Sequence, residues 1–133
     1  MNQDSHALSG YRFAKAKEDL ESSKVNFQNN LFSASINRSY YSIFHAARAL
    51  LAFDDFDSKK HSGIISYFNR NYIKSGKIEK EYSKILMSAE IIRNETDYMD
   101  FYVVSKDEAK TQIENAEIFI NMIENYINTN YPQ

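Results

Sequence analysis

The sequence predicts an all-α fold in a single domain, and three observations carry that prediction. Three glycines and one proline, Pro132, supply too few turn-formers for a many-stranded sheet protein, whose hairpins need residues that accept positive φ. Apolar residues recur at i, i+3, i+4 spacing in five segments with short breaks between them. With 133 residues, 43% hydrophobic and 26% charged, the chain has the size of one hydrophobic core and the composition of a folded globular protein.

The first helix is expected from about Ser5 to Asn29, with Phe13, Ala16, Leu20 and Phe27 along one stripe, and Asn29-Asn30 ends it. The second runs from about Leu31 to Phe53. Its Ile36, Tyr40, Ile43, Phe44, Ala47, Leu50 and Leu51 make an apolar face broad enough for the central helix of a bundle. A polar connection, Asp54 to Lys60, follows, with Ser58 as its N-cap candidate. The third helix, about Lys60 to Tyr72, carries His61, Ile64, Ile65, Phe68 and Tyr72, and Ser75-Gly76 breaks it. The fourth, about Ile78 to Tyr98, places Arg93 within a stripe of Tyr82, Ile85, Leu86, Ala89, Ile92 and Thr96. Met99 to Val104 has no strand partner, so it is expected as an extended segment lying on the bundle. Ser105 and Glu108 form a capping box that starts the fifth helix, and Ala109, Ile113, Ala116, Ile120, Ile123 and Ile127 give its buried edge to about Asn128.

Composition also excludes chemistry. The absence of cysteine removes disulfides, thiolate metal sites and cysteine nucleophiles, and favours a cytoplasmic location. No apolar run reaches the roughly 18 residues of a membrane span, and Met1 to Gly10 is too polar for a signal-peptide core, so no membrane association is expected. The net charge of −2 argues against broad, charge-driven nucleic-acid binding and leaves room only for a local basic patch. His6, His45 and His61 are far apart in sequence and fit no helical metal-ligand pattern, so neither metal nor cofactor is implied. Asp55-Phe56-Asp57 lacks the glycines of a phosphate or calcium loop and is read as surface-loop acids.

The most unusual stretch is Asn37-Arg38-Ser39-Tyr40-Tyr41-Ser42-Ile43-Phe44-His45-Ala46-Ala47-Arg48. Residues seven apart on a helix differ by about 20° in direction, so Arg38 and His45 share a face with Tyr41 between them. Two readings fit this stripe. One is a phosphate-binding arginine near a proton-transfer histidine; the other is an internal hydrogen-bonded network, or aromatic packing at an oligomer interface. Arg93 poses the same choice, because an arginine on an apolar face must be paired or must reach water. Asp97 is placed for an i, i+4 ion pair with it, and Tyr98 adds a polar tip at the same end. His61, preceded by Lys59 and Lys60, starts a helix where an anion would be attracted or where the ring packs under a loop, and Lys74, Lys77 and Lys80 either extend a basic edge or are simply solvated.

Three blocks together, Asn37 to Leu51, Lys60 to Phe68 and Arg93-Asn94-Glu95-Thr96-Asp97-Tyr98, resemble the HEPN domain family. They are similar to its small stand-alone prokaryotic group, whose central helix reads N-R-x-Y-Y-x-x-F-H-A and whose fourth helix ends R-x-x-x-D-Y. The resemblance covers about residues 7 to 128. It implies an up-and-down helical bundle of four long helices plus a shorter extra helix, forming a homodimer and related to the C-terminal domain of kanamycin nucleotidyltransferase. It also implies a toxin and antitoxin module with a minimal nucleotidyltransferase as antitoxin partner.

Many HEPN proteins are metal-independent ribonucleases that use Arg-x(4 to 6)-His on the late helix. Arg93-Asn94 matches the start of that motif, but the histidine's place is taken by Tyr98, Met99 or Asp100. A tyrosine is a poor general base at neutral pH. Arg38 and His45 match the literal spacing on the second helix, and His45 or His61 is the candidate to approach Arg93 in the fold. The resemblance therefore implies an RNA-binding toxin-like protein with Arg93, His45 and Arg38 as catalytic candidates. Tyr41, His61, Asp97 and Tyr98 are its supporting or binding residues, and Tyr98 is a candidate for modification by the partner. The alternative is a non-catalytic HEPN subunit that binds a nucleotidyltransferase or another nucleotide-binding protein.

Overall fold

A computed structural model describes residues 3–133. Its elements are α1 (Gln3–Gln28), α2 (Phe32–Leu51), α3 (His61–Phe68), α4 (Lys80–Tyr98) and α5 (Lys106–Asn130). Four long helices and one short one thus make an all-α bundle, with no strand among the described residues. The central helix is α2, which packs against α1, α3, α4 and α5. Its Tyr40, Ile43, Leu50 and Leu51 are sealed from solvent in one core with Ile64 and Phe68 of α3, Leu86 of α4, and Phe119 and Ile123 of α5. Truncating one such leucine to alanine costs about 2–5 kcal/mol.

The contact between α1 and α2 is made by small residues. Ser23 donates its hydroxyl to the Ser35 carbonyl at 2.8 Å and also bonds the Ser39 hydroxyl, so two helices approach closely and still satisfy buried polar groups. The face that α1 buries is therefore Ser5, Ser9, Arg12, Ala16 and Ser23, while Phe13 and Leu20 of the expected stripe are only partly buried. A turn at Asn30 (φ 61°) ends α1. There Leu31 N–H reaches the Asn26 carbonyl and Asn30 N–H the Phe27 carbonyl, the paired bonds of a Schellman cap.

Two local expectations change. The third helix does not run unbroken to Tyr72: α3 ends at Phe68, and Asn69–Ile73 form a π turn closed by Lys74 N–H on the Asn69 carbonyl at 2.8 Å. Ser58 is not the N-cap residue of α3. Lys60 occupies that position, and Ser58 acts two residues earlier by accepting the Lys60 N–H at 3.2 Å. Ser58 also lies where a side chain on Gly63 would project, which explains a glycine inside the first turn of a helix.

Met99 to Ser105 is irregular backbone. Val104 anchors it by packing with Ile36 and Ala109, whereas Phe101 stands fully exposed with φ 63°. Ser105 caps α5 by accepting the Glu108 N–H at 3.0 Å, and the Glu108 carboxylate receives the hydroxyls of Ser105 and Tyr102.

Candidate functional site

Arg93 is presented by α4 toward the polar face of α2. Its side chain is 15% exposed, with Nε 3.0 Å from the Asp97 carboxylate one turn later. That approach lacks hydrogen-bond alignment, so Nε is an ion-pair contact rather than a bonded donor. Nη2 donates to the Tyr41 hydroxyl at 3.0 Å and Nη1 to the Asn94 side chain at 3.1 Å. The guanidinium also lies 5.4–5.5 Å from the rings of Tyr41 and Tyr40. Tyr98, the last residue of α4, has its ring 5.7 Å from the same guanidinium and is 73% exposed.

The helical register of α2 brings Arg38, Tyr41 and His45 to this side. Arg38 stacks over the Tyr41 ring at 5.0 Å and pairs with Asp19 of α1 at 3.0 Å. It also donates to the Asn37 side-chain oxygen Oδ1, and the Asn37 side-chain amide nitrogen in turn donates to Asp97 at 3.2 Å. Asp19, Arg38, Asn37, Asp97, Arg93 and Tyr41 thus form one connected polar cluster spanning α1, α2 and α4. Burial raises the Asp19 pKa, and the Arg38 charge and hydrogen bond pull the other way.

The two histidines of the cluster differ in what they can do. His45 has Nδ1 3.4 Å from Arg48 Nη1, and an arginine only donates, so the imidazole lone pair faces a cation. Burial first, then Arg48, Lys15 and Arg38, push its pKa down to about 4. At neutral pH His45 is uncharged, and its 3.9 Å approach to Asp19 is not an ion pair. His61 enters from the first residue of α3, its ring tilted against Phe44 at 4.2 Å and edge-on to Tyr41 at 5.7 Å. Its Nδ1 shares a 2.8 Å hydrogen bond with the Tyr40 hydroxyl, donated by one or the other according to the imidazole tautomer. Burial of Tyr40 raises its pKa far above the usual phenol range, so this hydroxyl keeps its proton. Burial first, then the positive charge of Arg93, lower the His61 pKa, while Glu90 opposes the shift.

All seven residues singled out in the sequence therefore lie in or beside one cluster: Arg38, Tyr41, His45, His61, Arg93 and Asp97 within it, and Tyr98 at its exposed edge. His6 lies apart from it, packed edge-on against Phe53 at 5.0 Å. The sequence reading missed Asp19 as the partner of Arg38. It also missed a clamp in which Asp57 accepts from Arg12 at 3.2 Å and from Arg48 at 3.0 Å. Asp57 is thus not a free loop acid: although burial raises its pKa, hydrogen bonds from Arg48 and the Ser58 N–H outweigh this and lower it. A signal for Arg12 and Asp19 existed, since Ser5, Ser9, Arg12, Ala16, Asp19 and Ser23 recur in alternating steps of four and three on one face of α1. Among the described residues, no group of three or more His, Asp or Glu side chains is arranged to hold a metal ion. No described helix is long and apolar enough to cross a membrane.

The HEPN domain model matches residues 10–126. A UPF0332 protein of Thermotoga maritima is 32% identical over 127 residues, covering 96% of each chain. A UPF0332 protein of Archaeoglobus fulgidus is 33% identical over 119 residues, 90% of this chain and 94% of its own. A Methanocaldococcus jannaschii protein whose name reads "Putative toxin" is 35% identical over 108 residues, 81% of this chain and 80% of its own.

Proposed function

The chain belongs to the HEPN domain family, and from that premise we propose that it is a toxin-type member which binds RNA at the Arg93 cluster and cleaves it without a metal ion. The observation that carries this reading is the 3.0 Å bond from Arg93 to Tyr41, with His61 5.7 Å from the same Tyr41 ring. An arginine from the late helix and a neutral histidine are thereby neighbours although the late helix has no histidine of its own. The relative named as a toxin supports the biological class.

In the proposed reaction His61 takes the proton from a ribose 2′-hydroxyl. The 2′-oxygen attacks the adjacent phosphorus, the bond to the 5′-oxygen breaks, and a 2′,3′-cyclic phosphate and a 5′-hydroxyl result once the leaving oxygen gains a proton from water. Arg93 stabilises charge on the phosphate, and Arg38 supports its binding. The tautomer in which His61 donates from Nδ1 to Tyr40 leaves Nε2 free as the base. His45, whose lone pair faces Arg48, has an orienting role instead. The protein acts as a homodimer whose antitoxin is a minimal nucleotidyltransferase, and Tyr98, exposed beside Arg93, is the residue this partner modifies. A bulky charged adduct there repels phosphate and fills the approach.

One observation favours a second reading, a non-catalytic subunit: every side-chain nitrogen of Arg93 already has a polar neighbour within the chain. Incubation with labelled RNA in excess EDTA, beside Arg93→Ala, His61→Ala and His45→Ala, separates the two. Cleavage leaving cyclic phosphate, reduced about 10²–10³-fold by Arg93→Ala and strongly by His61→Ala, is the expected result. Intact RNA after incubation with folded wild-type protein selects the non-catalytic reading.

A further inference from the structure

A second positively charged feature lies away from the Arg93 cluster. The π turn after α3 and the first turns of α4 face each other across an open groove of about 640 Å³, with Arg70 and Lys74 on one wall and Lys80 and Lys84 on the other. All four cations are exposed, no carboxylate lines the groove, and none of the four makes an ion pair among the described residues. The arginines of the Arg93 cluster and of the Asp57 clamp are different in kind, because Arg38, Arg93, Arg12 and Arg48 each face a carboxylate. In a chain of net charge −2, four uncompensated cations around one groove repel one another and are relieved by an anion.

The walls are also tied together. Ser83 of α4 donates to the Asn69 side chain of the π turn at 2.6 Å, so the two rows of cations are held at a fixed separation. Lys80 and Lys84 follow one another at about 6 Å along their helix, which suits successive charges on a strand better than one compact anion. Lys84 and Arg93 lie about 14 Å apart along α4 and on opposite faces, so the groove does not share a ligand atom with the Arg93 cluster.

We propose that this groove binds backbone phosphates of single-stranded RNA, holding a part of the strand remote from the reacting bond. The inference rests on the reading of the protein as an RNA-binding toxin and adds a separate site to it. Anchoring by backbone charge is independent of base sequence, as in other single-strand channels.

The test is fluorescence anisotropy of a labelled short single-stranded RNA across a salt series, with Arg70→Ala/Lys74→Ala, Lys80→Ala/Lys84→Ala and, as a control of equal charge change, Lys106→Ala/Lys110→Ala. Each groove pair is expected to weaken binding roughly tenfold and to reduce the salt slope by about 1.4, at about 0.7 per phosphate contact, while the control leaves both near wild type. Equal weakening by the control pair, or unchanged affinity and slope in both groove pairs, overturns the groove. Inorganic tripolyphosphate added to the wild-type complex distinguishes a free oligophosphate from RNA: displacement at stoichiometric concentration overturns the RNA assignment. RNA bound by wild type and by the groove variants alike, but cleaved only when Arg93 is present, removes the groove and leaves the proposed function. Loss of affinity in the groove pairs without any RNA cleavage by wild type does the reverse. No binding by wild type removes both.

Discussion

Arg93 is engaged in three directions, toward Asp97, Tyr41 and Asn94, and only a planar fork can meet all three. Lysine keeps the charge and loses that geometry. Arg93→Lys is therefore expected to lose most of the RNA cleavage that Arg93→Ala loses, measured as initial rates in EDTA; full activity in the lysine variant would mean that charge alone suffices. His45 gives a prediction about pH. Its folded pKa of about 4 lies below the ordinary value of 6.5, so between these limits the unfolded chain binds the extra proton. This residue's unfavourable contribution is absent above about pH 6.5 and grows as pH falls toward 4. Denaturant midpoints of wild type should thus fall from pH 7 to pH 5 more steeply than those of His45→Gln, and parallel curves would show that His45 is not desolvated. Of this neighbourhood, the Arg93–Asp97 pair was legible in sequence because it is one helical turn long. The bond from Arg93 to Tyr41 joins residues 52 apart, and no local pattern encodes it.

Among the elements, α2 and α5 were legible because each buries an apolar edge with regular spacing, and Ser105 with Glu108 marked the start of α5 by its own chemistry. The buried face of α1 was not, because close approach to α2 selects serine and alanine over leucine, and such residues leave no hydrophobic stripe. The π turn was hidden for a similar reason: the pattern Ile64, Ile65, Phe68, Tyr72 continues a helix, while the extra residue is stabilised by Asn69 reaching Ser83 on another helix. A prediction at this scale concerns how α3, and with it His61, is held. A methyl group on Gly63 would run into Ser58, so Gly63→Ala should destabilise by about 1–3 kcal/mol. Combining it with Ser58→Gly should recover much of that loss in a double-mutant cycle measured by urea unfolding. Simple additivity of the two changes would show that the two residues are not in contact.

For the molecule as a whole, the chain covers its core but leaves apolar side chains open on α4 and the segment that follows it. Ile91, Met99, Phe101 and Val103, on α4 and the segment after it, are each more than half exposed. Phe101 is costly twice over, since a bulky residue at φ 63° is strained, by about 1–3 kcal/mol, and its ring is wholly in water. Both costs are offset if the ring is buried against another surface, and the proposed homodimer supplies one of the same composition beside Arg93 and Tyr98. Two Arg93 clusters would then flank a shared cleft, as an isologous contact requires. Light scattering on the eluting protein should accordingly give twice the 15.5 kDa chain mass at micromolar concentration. Ile91→Glu with Phe101→Glu should give the chain mass alone with unchanged helicity, because two buried like charges at a twofold contact meet their own copies. RNA cleavage should fall with the dimer in that variant. A wild-type protein that elutes as a monomer removes the shared cleft, and a dimer untouched by the double substitution places the contact on another face.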